Sequence, residues 1–131
     1  MLETGDTIRP VYAVLLAAGQ SRRCRPKKLF LPWGDETILE RSVSNLLDSR
    51  VEKTAVVLGH DPAPLRRLIK NKDCLVTVNR EYQRGMASTF LAGIRAIEGR
   101  LRTPPDAGYL LALADAPFIT PDIINRLVEA F

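Results

Sequence analysis

The sequence predicts an α/β fold in which a mostly parallel sheet is covered by helices on both faces, a three-layer, Rossmann-like arrangement. Short apolar runs typical of buried strands alternate with amphipathic helical patterns, and this alternation occurs four times. Strands linked by helices of this length pair in parallel through right-handed crossovers. A chain of 131 residues suits one domain with a real core, so we expect a single domain over residues 1–131 with four βα units.

The first strand is predicted at Val11–Leu16, a short aliphatic and β-branched run that can be buried on both faces. A loop, Ala17–Glu36, follows it and contains Gly19. A cluster of five basic residues lies in this loop: Arg22, Arg23, Arg25, Lys27 and Lys28. Glycine lets backbone N–H groups approach an anion, and the cations supply opposite charge, so the loop could hold phosphate. The same pattern fits a solvated basic loop about equally well.

A capping box predicts the start of the first helix, because Thr37 and Glu40 can each satisfy a free N–H of the other's end. Its apolar face comprises Ile38, Leu39, Val43, Leu46 and Leu47. The second strand is predicted at Thr54–Leu58.

For the second helix, Asp61 is the predicted cap and Pro62 the first residue, with an end near Lys70. The third strand is predicted at Leu75–Val78, followed by the polar loop Asn79–Gly85.

The third helix is predicted to begin near Met86, and the fourth strand at Tyr109–Ala114. Thr120 precedes Pro121 and is expected to cap the last helix. The expected inward stripe of the third helix is Phe90, Leu91, Ile94 and Ile97. That of the last helix is Ile123, Ile124, Leu127, Val128 and Phe131.

Residues that could take part in ligand binding or catalysis follow the four predicted strands. They are Gly19, Gly59, Asn79 and Asp115. In open parallel sheets, ligands bind beyond the carboxyl ends of the strands, near the point where strand order reverses. The alternation pattern therefore predicts a site where these residues meet.

The composition indicates the charge of the ligand and the cellular compartment of the protein. Lys plus Arg is 19 and Asp plus Glu is 15, and the excess near Arg22–Lys28 favours an anionic ligand. No aromatic residues are interleaved with these charges, so we expect no nucleic-acid partner. Cys24 and Cys74 lack metal-type spacing and indicate free thiols. No segment is long enough to span a membrane and no signal peptide is evident, so we expect a soluble cytoplasmic protein.

Three segments resemble the molybdenum cofactor cytidylyltransferase family, one of the MobA-like nucleotidyltransferases. Leu16–Pro32 is similar to the family's opening pattern LAAGxSxRMGxxKLLLP, with departures at Cys24 and Arg25. Asn79–Gly93 is similar to NPxxxxGMxxSLxxG, with Arg80 in place of proline.

The third segment, Leu113–Ile124, is similar to the family's metal-binding motif LADMPFVTPETI, with Ala116 in place of methionine. A carboxylate at the end of an apolar strand, as at Asp115, suits a hard cation such as Mg²⁺. Without the resemblance, an aspartate that bonds a nearby turn backbone is the slightly better interpretation.

The resemblance implies Mg²⁺-dependent transfer of CMP from CTP to molybdopterin, with release of pyrophosphate. Arg23 and Lys28 would be the catalytic cations, and Asp115 would hold Mg²⁺. The residues expected to bind the nucleotide are Leu16, Ala17, Ala18, Gly19, Asn79, Gly85 and Ser88. CTP is favoured because relatives that use GTP usually carry glycine where Ala18 stands.

Other functions stay open at this point. GTP could be the donor, or a sugar or alcohol phosphate the acceptor. Members of the family continue well beyond the matched region, so the chain resembles the front portion of a longer, full nucleotidyltransferase domain. It could therefore be a catalytically incomplete nucleotide-binding module. An unpaired sheet edge would also invite self-association or a partner chain that completes the fold.

Overall fold

The structure is a computed structural model that describes residues 9–18 and 26–131. The strands are β1 Val11–Ala17, β2 Pro32–Trp33, β3 Glu36–Thr37, β4 Thr54–Leu58, β5 Leu75–Val78 and β6 Gly108–Leu113. The helices are α1 Ile38–Leu47, α2 Ala63–Leu68, α3 Met86–Arg100 and α4 Pro121–Ala130, with 3₁₀ turns at Pro26–Phe30 and Tyr82–Arg84. Among the described residues, no helix has both the length and the apolar character needed to cross a membrane.

Four strands form one parallel sheet in the order β5-β4-β1-β6. The chain runs outward from β1 to β5 and then returns to place β6 on the other side of β1. Strand order therefore reverses between β1 and β6. The predicted α/β class, the parallel sheet and the four βα units are confirmed.

The helices lie in two layers, as predicted. α1, α2 and α4 pack on one face of the sheet, against the side chains of residues such as Ala13 and Leu15. α3 packs on the other face, against Tyr12 and Val14. Because neighbouring residues of a strand point to opposite faces, β1 feeds both cores and is buried along nearly its whole length.

α3 approaches the sheet through small residues. Its fully buried positions are Thr89, Gly93 and Ile97, four residues apart, so they form one stripe. A Cβ at Gly93 would lie 2.2 Å from Cγ1 of Val14. Leu91, which the sequence places in this stripe, is exposed instead.

Two local predictions are wrong. α2 begins at Ala63 after Pro62, without a side-chain cap, and ends at Leu68 rather than near Lys70. Asp61 adopts a left-handed backbone conformation (φ 49°), which an N-cap residue does not. The supposed loop Ala17–Glu36 contains a 3₁₀ turn and the small antiparallel pair β2–β3.

The free edge of the sheet at β6 is flanked by apolar side chains. On the α3 side, Leu111 and Leu113 are 39% and 42% exposed. On the other side, α4 buries Ile124 and Val128. The other residues predicted to face inward from α4, Ile123, Leu127 and Phe131, are exposed. The inward face of α4 is therefore narrower than its sequence predicts.

Candidate functional site

The ends of β1 and β6 meet at the reversal point of the sheet. Leu16 pairs with Leu113, and the Ala114 N–H donates to the Leu16 carbonyl at 3.1 Å. β1 and β6 therefore end side by side, and the segments that contain Ala18 and Asp115 follow them. Two residues predicted to contact nucleotide and metal thus follow adjacent strands at the position where parallel sheets bind ligands.

Gly59 brings the end of β4 against the same place. A Cβ at Gly59 would lie 2.6 Å from the carbonyl oxygen of Ala18. Only glycine permits this close approach without moving one of the two segments. Ala18 therefore lies against the end of β4, and both it and Ala17 are buried.

Asp115 is half-buried, and its carboxylate has no hydrogen bond or ion pair with another described residue. The described residues include no group of three or more acidic, His or Cys side chains that could hold a metal. A single carboxylate nevertheless suits Mg²⁺, which takes one or two protein carboxylates and fills its other positions with phosphate oxygens and water. The donor set at Asp115 fits that metal.

Asn79 and Ser88 come together, but mainly to shape the loop between β5 and α3. The Asn79 amide donates to the hydroxyls of Ser88 (3.0 Å) and Thr89 (3.1 Å), and its carbonyl accepts from the Glu81 N–H (3.0 Å). The Ser88 hydroxyl is 3.0 Å from the Gly85 carbonyl oxygen. Asn79 is buried, so its side chain fixes the loop rather than reaching outward.

Gly85 begins α3 with a positive φ of 110° and supplies no side-chain cap. The N-cap position of α3 therefore provides no side-chain acceptor for the first N–H groups of the helix. Asn79 follows β5 and Asp115 follows β6, three strand spacings away, so about 14 Å separates the two ends of the candidate site. That span accommodates an extended ligand rather than a single ion.

Lys28 lies in the 3₁₀ turn Pro26–Phe30, which packs against α1 and α2 through the buried Leu29. Lys28 is exposed, and its ammonium group makes no ion pair with any residue in the described ranges. The structure does not bring it into contact with Asp115 or Asn79. Gly19 and Arg23 lie outside the described residues.

Two residues of the site region were missed in the sequence. Ser42 and Asn45 are buried on α1 and bond the backbone that flanks Asp115. Their signal was present, because two polar residues three positions apart interrupt the apolar face of a helix. Polar groups are buried in such a face only when they have partners.

The family model for the MobA-like NTP transferase domain matches residues 13–131. The chain belongs to this family. The match covers every helix and every strand of the sheet except the first two residues of β1, and it confirms the predicted resemblance.

Curated relatives of this MobA-like chain differ in their named activities. Nicotine blue oxidoreductase of Paenarthrobacter nicotinovorans is 30% identical over 126 residues, which are 95% of this chain and 59% of that protein. The molybdenum cofactor cytidylyltransferase of Escherichia coli is 26% identical, over 89% of this chain and 57% of that protein. The 2-C-methyl-D-erythritol 4-phosphate cytidylyltransferase of an Enterobacter species is 35% identical, over 93% and 50%.

Solved structures with a similar fold likewise match most of this chain. A nucleotidyl transfer enzyme of Methanothermobacter superimposes with a TM-score of 0.74 at 26% identity, covering 92% of this chain and 57% of that one. Rv0371c of Mycobacterium tuberculosis, in complex with manganese, gives 0.69 at 27% identity, covering 95% and 60%. The MobA-like chain spans between 50% and 60% of the length of each of these relatives and solved structures.

Proposed function

We propose that the chain binds a nucleoside triphosphate, CTP in preference to GTP, and transfers its nucleotidyl group to a molybdopterin-type phosphate acceptor. The observation that carries this proposal is that β1 and β6 end side by side at the reversal point of the sheet, so that Ala18 and Asp115 follow adjacent strands. A backbone segment and a carboxylate at this position suit the binding of a metal-bound triphosphate.

In the proposed reaction, an oxygen of the acceptor phosphate attacks the α-phosphorus of the nucleotide. The bond from that phosphorus to the bridging oxygen of the β-phosphate breaks, and pyrophosphate leaves. Mg²⁺ bound at Asp115 would supply charge stabilisation for the phosphate oxygens. The protein's own work is to position groups and to neutralise charge.

The residues divide this work along the sheet. Leu16–Gly19 present backbone to the nucleotide, and Arg23 and Lys28 neutralise the departing pyrophosphate. The loop that Asn79 and Ser88 hold together, with Gly85 at its helix start, lies at the far side of the site and is assigned to the base and ribose. We place the protein in the cytoplasm, as one domain over residues 1–131.

The share of its relatives' length that this chain spans supports a second candidate function. Because the chain spans 57% of the molybdenum cofactor cytidylyltransferase that it resembles, a nucleotide-binding module that turns over only with a further segment or partner chain is the alternative. The relatives' names also leave open a different acceptor, such as a sugar or alcohol phosphate.

Binding and turnover separate these candidates. We expect CTP with Mg²⁺ to raise the melting temperature more than GTP with Mg²⁺, and Asp115→Asn to remove most of the metal-dependent part. In turnover assays that detect pyrophosphate with molybdopterin and other phosphate acceptors, Lys28→Ala should lower the rate about a hundredfold. Lys53→Ala, which removes an exposed cation at the amino end of β4, opposite the carboxyl ends where the candidate site lies, should leave the rate unchanged.

A larger shift with GTP would contradict the choice of CTP. CTP binding without turnover would favour the binding module. Unchanged turnover in Lys28→Ala would remove this residue from the proposed mechanism.

A further inference from the structure

Two buried polar side chains on α1 reach across to the segment that follows β6. The Ser42 hydroxyl donates to the Ala114 carbonyl at 2.7 Å, and the Asn45 amide donates to the Pro117 carbonyl at 2.9 Å. Both residues are almost fully buried, at 3% and 5% exposed. They are three positions apart, so they project from one face of α1.

Their two acceptors bracket Asp115. Ala114 immediately precedes Asp115 and Pro117 comes two residues after it, so the backbone is held on both sides of the carboxylate. A third hydrogen bond comes from β1, since the Ala114 N–H donates to the Leu16 carbonyl. A further turn bond runs from the Ala116 N–H to the Leu113 carbonyl at 3.3 Å.

The backbone around Asp115 and the side chain of Asp115 differ in their hydrogen bonding. The backbone around it is bonded to β1 and α1, while its carboxylate bonds no other described residue. A side chain that must reach a ligand gains from a fixed backbone, because less conformational entropy is lost on binding. The face of α1 that holds this segment otherwise contains Leu39, Val43 and Leu46. Apolar residues at positions 42 and 45 would fill such a face without the cost of burying polar groups.

We infer that Ser42 and Asn45 are positioning residues that fix the backbone on both sides of Asp115 and so set its affinity for the nucleotide-bound metal. This inference rests on the proposed function, because it takes Asp115 as the metal ligand. The competing explanation is that the two bonds only anchor α1 to the sheet. Stability alone would then respond to their loss.

The test measures how much Mg²⁺ tightens CTP binding to the whole chain, by calorimetry with and without the metal. Removing a group that orients a metal ligand typically weakens metal binding, so Ser42→Ala should reduce the Mg²⁺-dependent gain in CTP affinity by about tenfold. The metal-free affinity for CTP should not change. Asn45→Ala is the second variant, and it tests the same inference if Ser42→Ala does not fold.

Ser44→Ala is the matched control on the same helix. It removes a hydroxyl that bonds Glu36 and Lys72 rather than the Asp115 segment, so the metal-dependent gain should stay at the wild-type value. Melting temperatures of all variants report the structural effect separately.

A double-mutant cycle with Asp115→Asn identifies the route of the effect. If Ser42 acts through Asp115, adding Ser42→Ala to Asp115→Asn should change the metal-dependent gain no further. A full effect of Ser42→Ala in the Asp115→Asn background would overturn the inference.

Two other outcomes separate the inference from the function beneath it. If Ser42→Ala and Asn45→Ala lower only the melting temperature while Asp115→Asn abolishes the gain, the inference is wrong and the proposed function stands. If Asp115→Asn leaves the gain intact, or CTP does not bind at all, the metal role of Asp115 is refuted and the inference falls with it.

Discussion

Burial raises the pKa of the Cys74 thiol to about 11, with the Asp73 carboxylate as a second cause. A raised thiol pKa favours the protonated form, so little reactive thiolate exists at neutral pH. Among the described residues, Cys74 is a free cysteine packed at the margin of the core. The Cys74 thiol is therefore expected to have low reactivity at neutral pH.

Cys74 should react slowly with a thiol reagent in the folded protein at pH 7.5. In a Cys24→Ser background, its alkylation rate should rise steadily as the pH approaches 11, because the thiolate fraction grows through that range. The same chain in denaturing urea should react like an ordinary cysteine and serves as the control. Equal rates in the folded and unfolded chains would contradict the assigned environment.

Side chains show where prediction from sequence is limited at the residue scale. Asn79 and Ser88 are readily singled out by motif, and they do meet in the structure. Whether an amide faces a ligand or a neighbouring hydroxyl depends on rotamers and on the turn at Gly85, which spacing does not encode. Ser42 and Asn45 were readable only as polar residues at buried helical positions, since their partners lie 72 residues away.

At the element scale, α3 contains two glycines in opposite environments. Gly93 is pressed against the sheet, where a Cβ would lie 2.2 Å from Val14 and 3.0 Å from Val57. Gly99 has nothing within 4 Å of the position a Cβ would take. The same substitution should therefore have opposite effects at the two positions.

We expect Gly93→Ala to lower the free energy of unfolding by about 1–3 kcal/mol, because overpacking forces the helix away from β1. Gly99→Ala should raise it by about 0.5 kcal/mol, since alanine favours the helix and meets no neighbour. Urea denaturation of both variants measures the difference. A loss of stability in Gly99→Ala as large as in Gly93→Ala would show that helix packing is not the cause.

Elements with strong periodicity were predictable, and those that depend on tertiary contacts were not. The bounds of β4 and β5 are confirmed, as are the capping box of Thr37 and Glu40 and the Thr120 cap. The α4 stripe was predicted too wide, because apolar character alone does not tell which residues the sheet covers. The pair β2–β3 is only two residues per strand, too short for any alternation to show.

Across the whole molecule, an ion-pair cluster joins segments far apart in the chain. Lys72 precedes β5, and its ammonium group lies 2.7 Å from the Glu36 carboxylate of β3. The Arg41 guanidinium lies 3.1 Å from the same carboxylate. The hydrogen bond from Lys72 is the main reason that the pKa of Glu36 is lowered from its usual 4.5. Both Glu36 and Lys72 are only 21% exposed, so solvent screens this pair less than a surface pair.

Glu36→Gln should therefore lower the free energy of unfolding by about 1 kcal/mol at pH 7. A carboxylate with a lowered pKa in the folded state stabilises fully above its unfolded pKa, and this contribution is lost as the pH falls through the folded pKa. The difference between wild type and variant should thus shrink below about pH 4.5, as followed by urea denaturation. Glu52→Gln, an exposed site, controls for the change in net charge, and a difference independent of pH would contradict the assignment.

The position of β1 between β4 and β6 also has a consequence for how the molecule is made. β1 is synthesised before both of its neighbours, and β6 is the neighbour more distant in sequence. Contacts between such distant segments form slowly, because a long loop must close first. The pairing of Leu16 with Leu113 belongs to that late step, so a chain emerging from the ribosome can pair one edge of β1 before the two strand ends at the candidate site are in register.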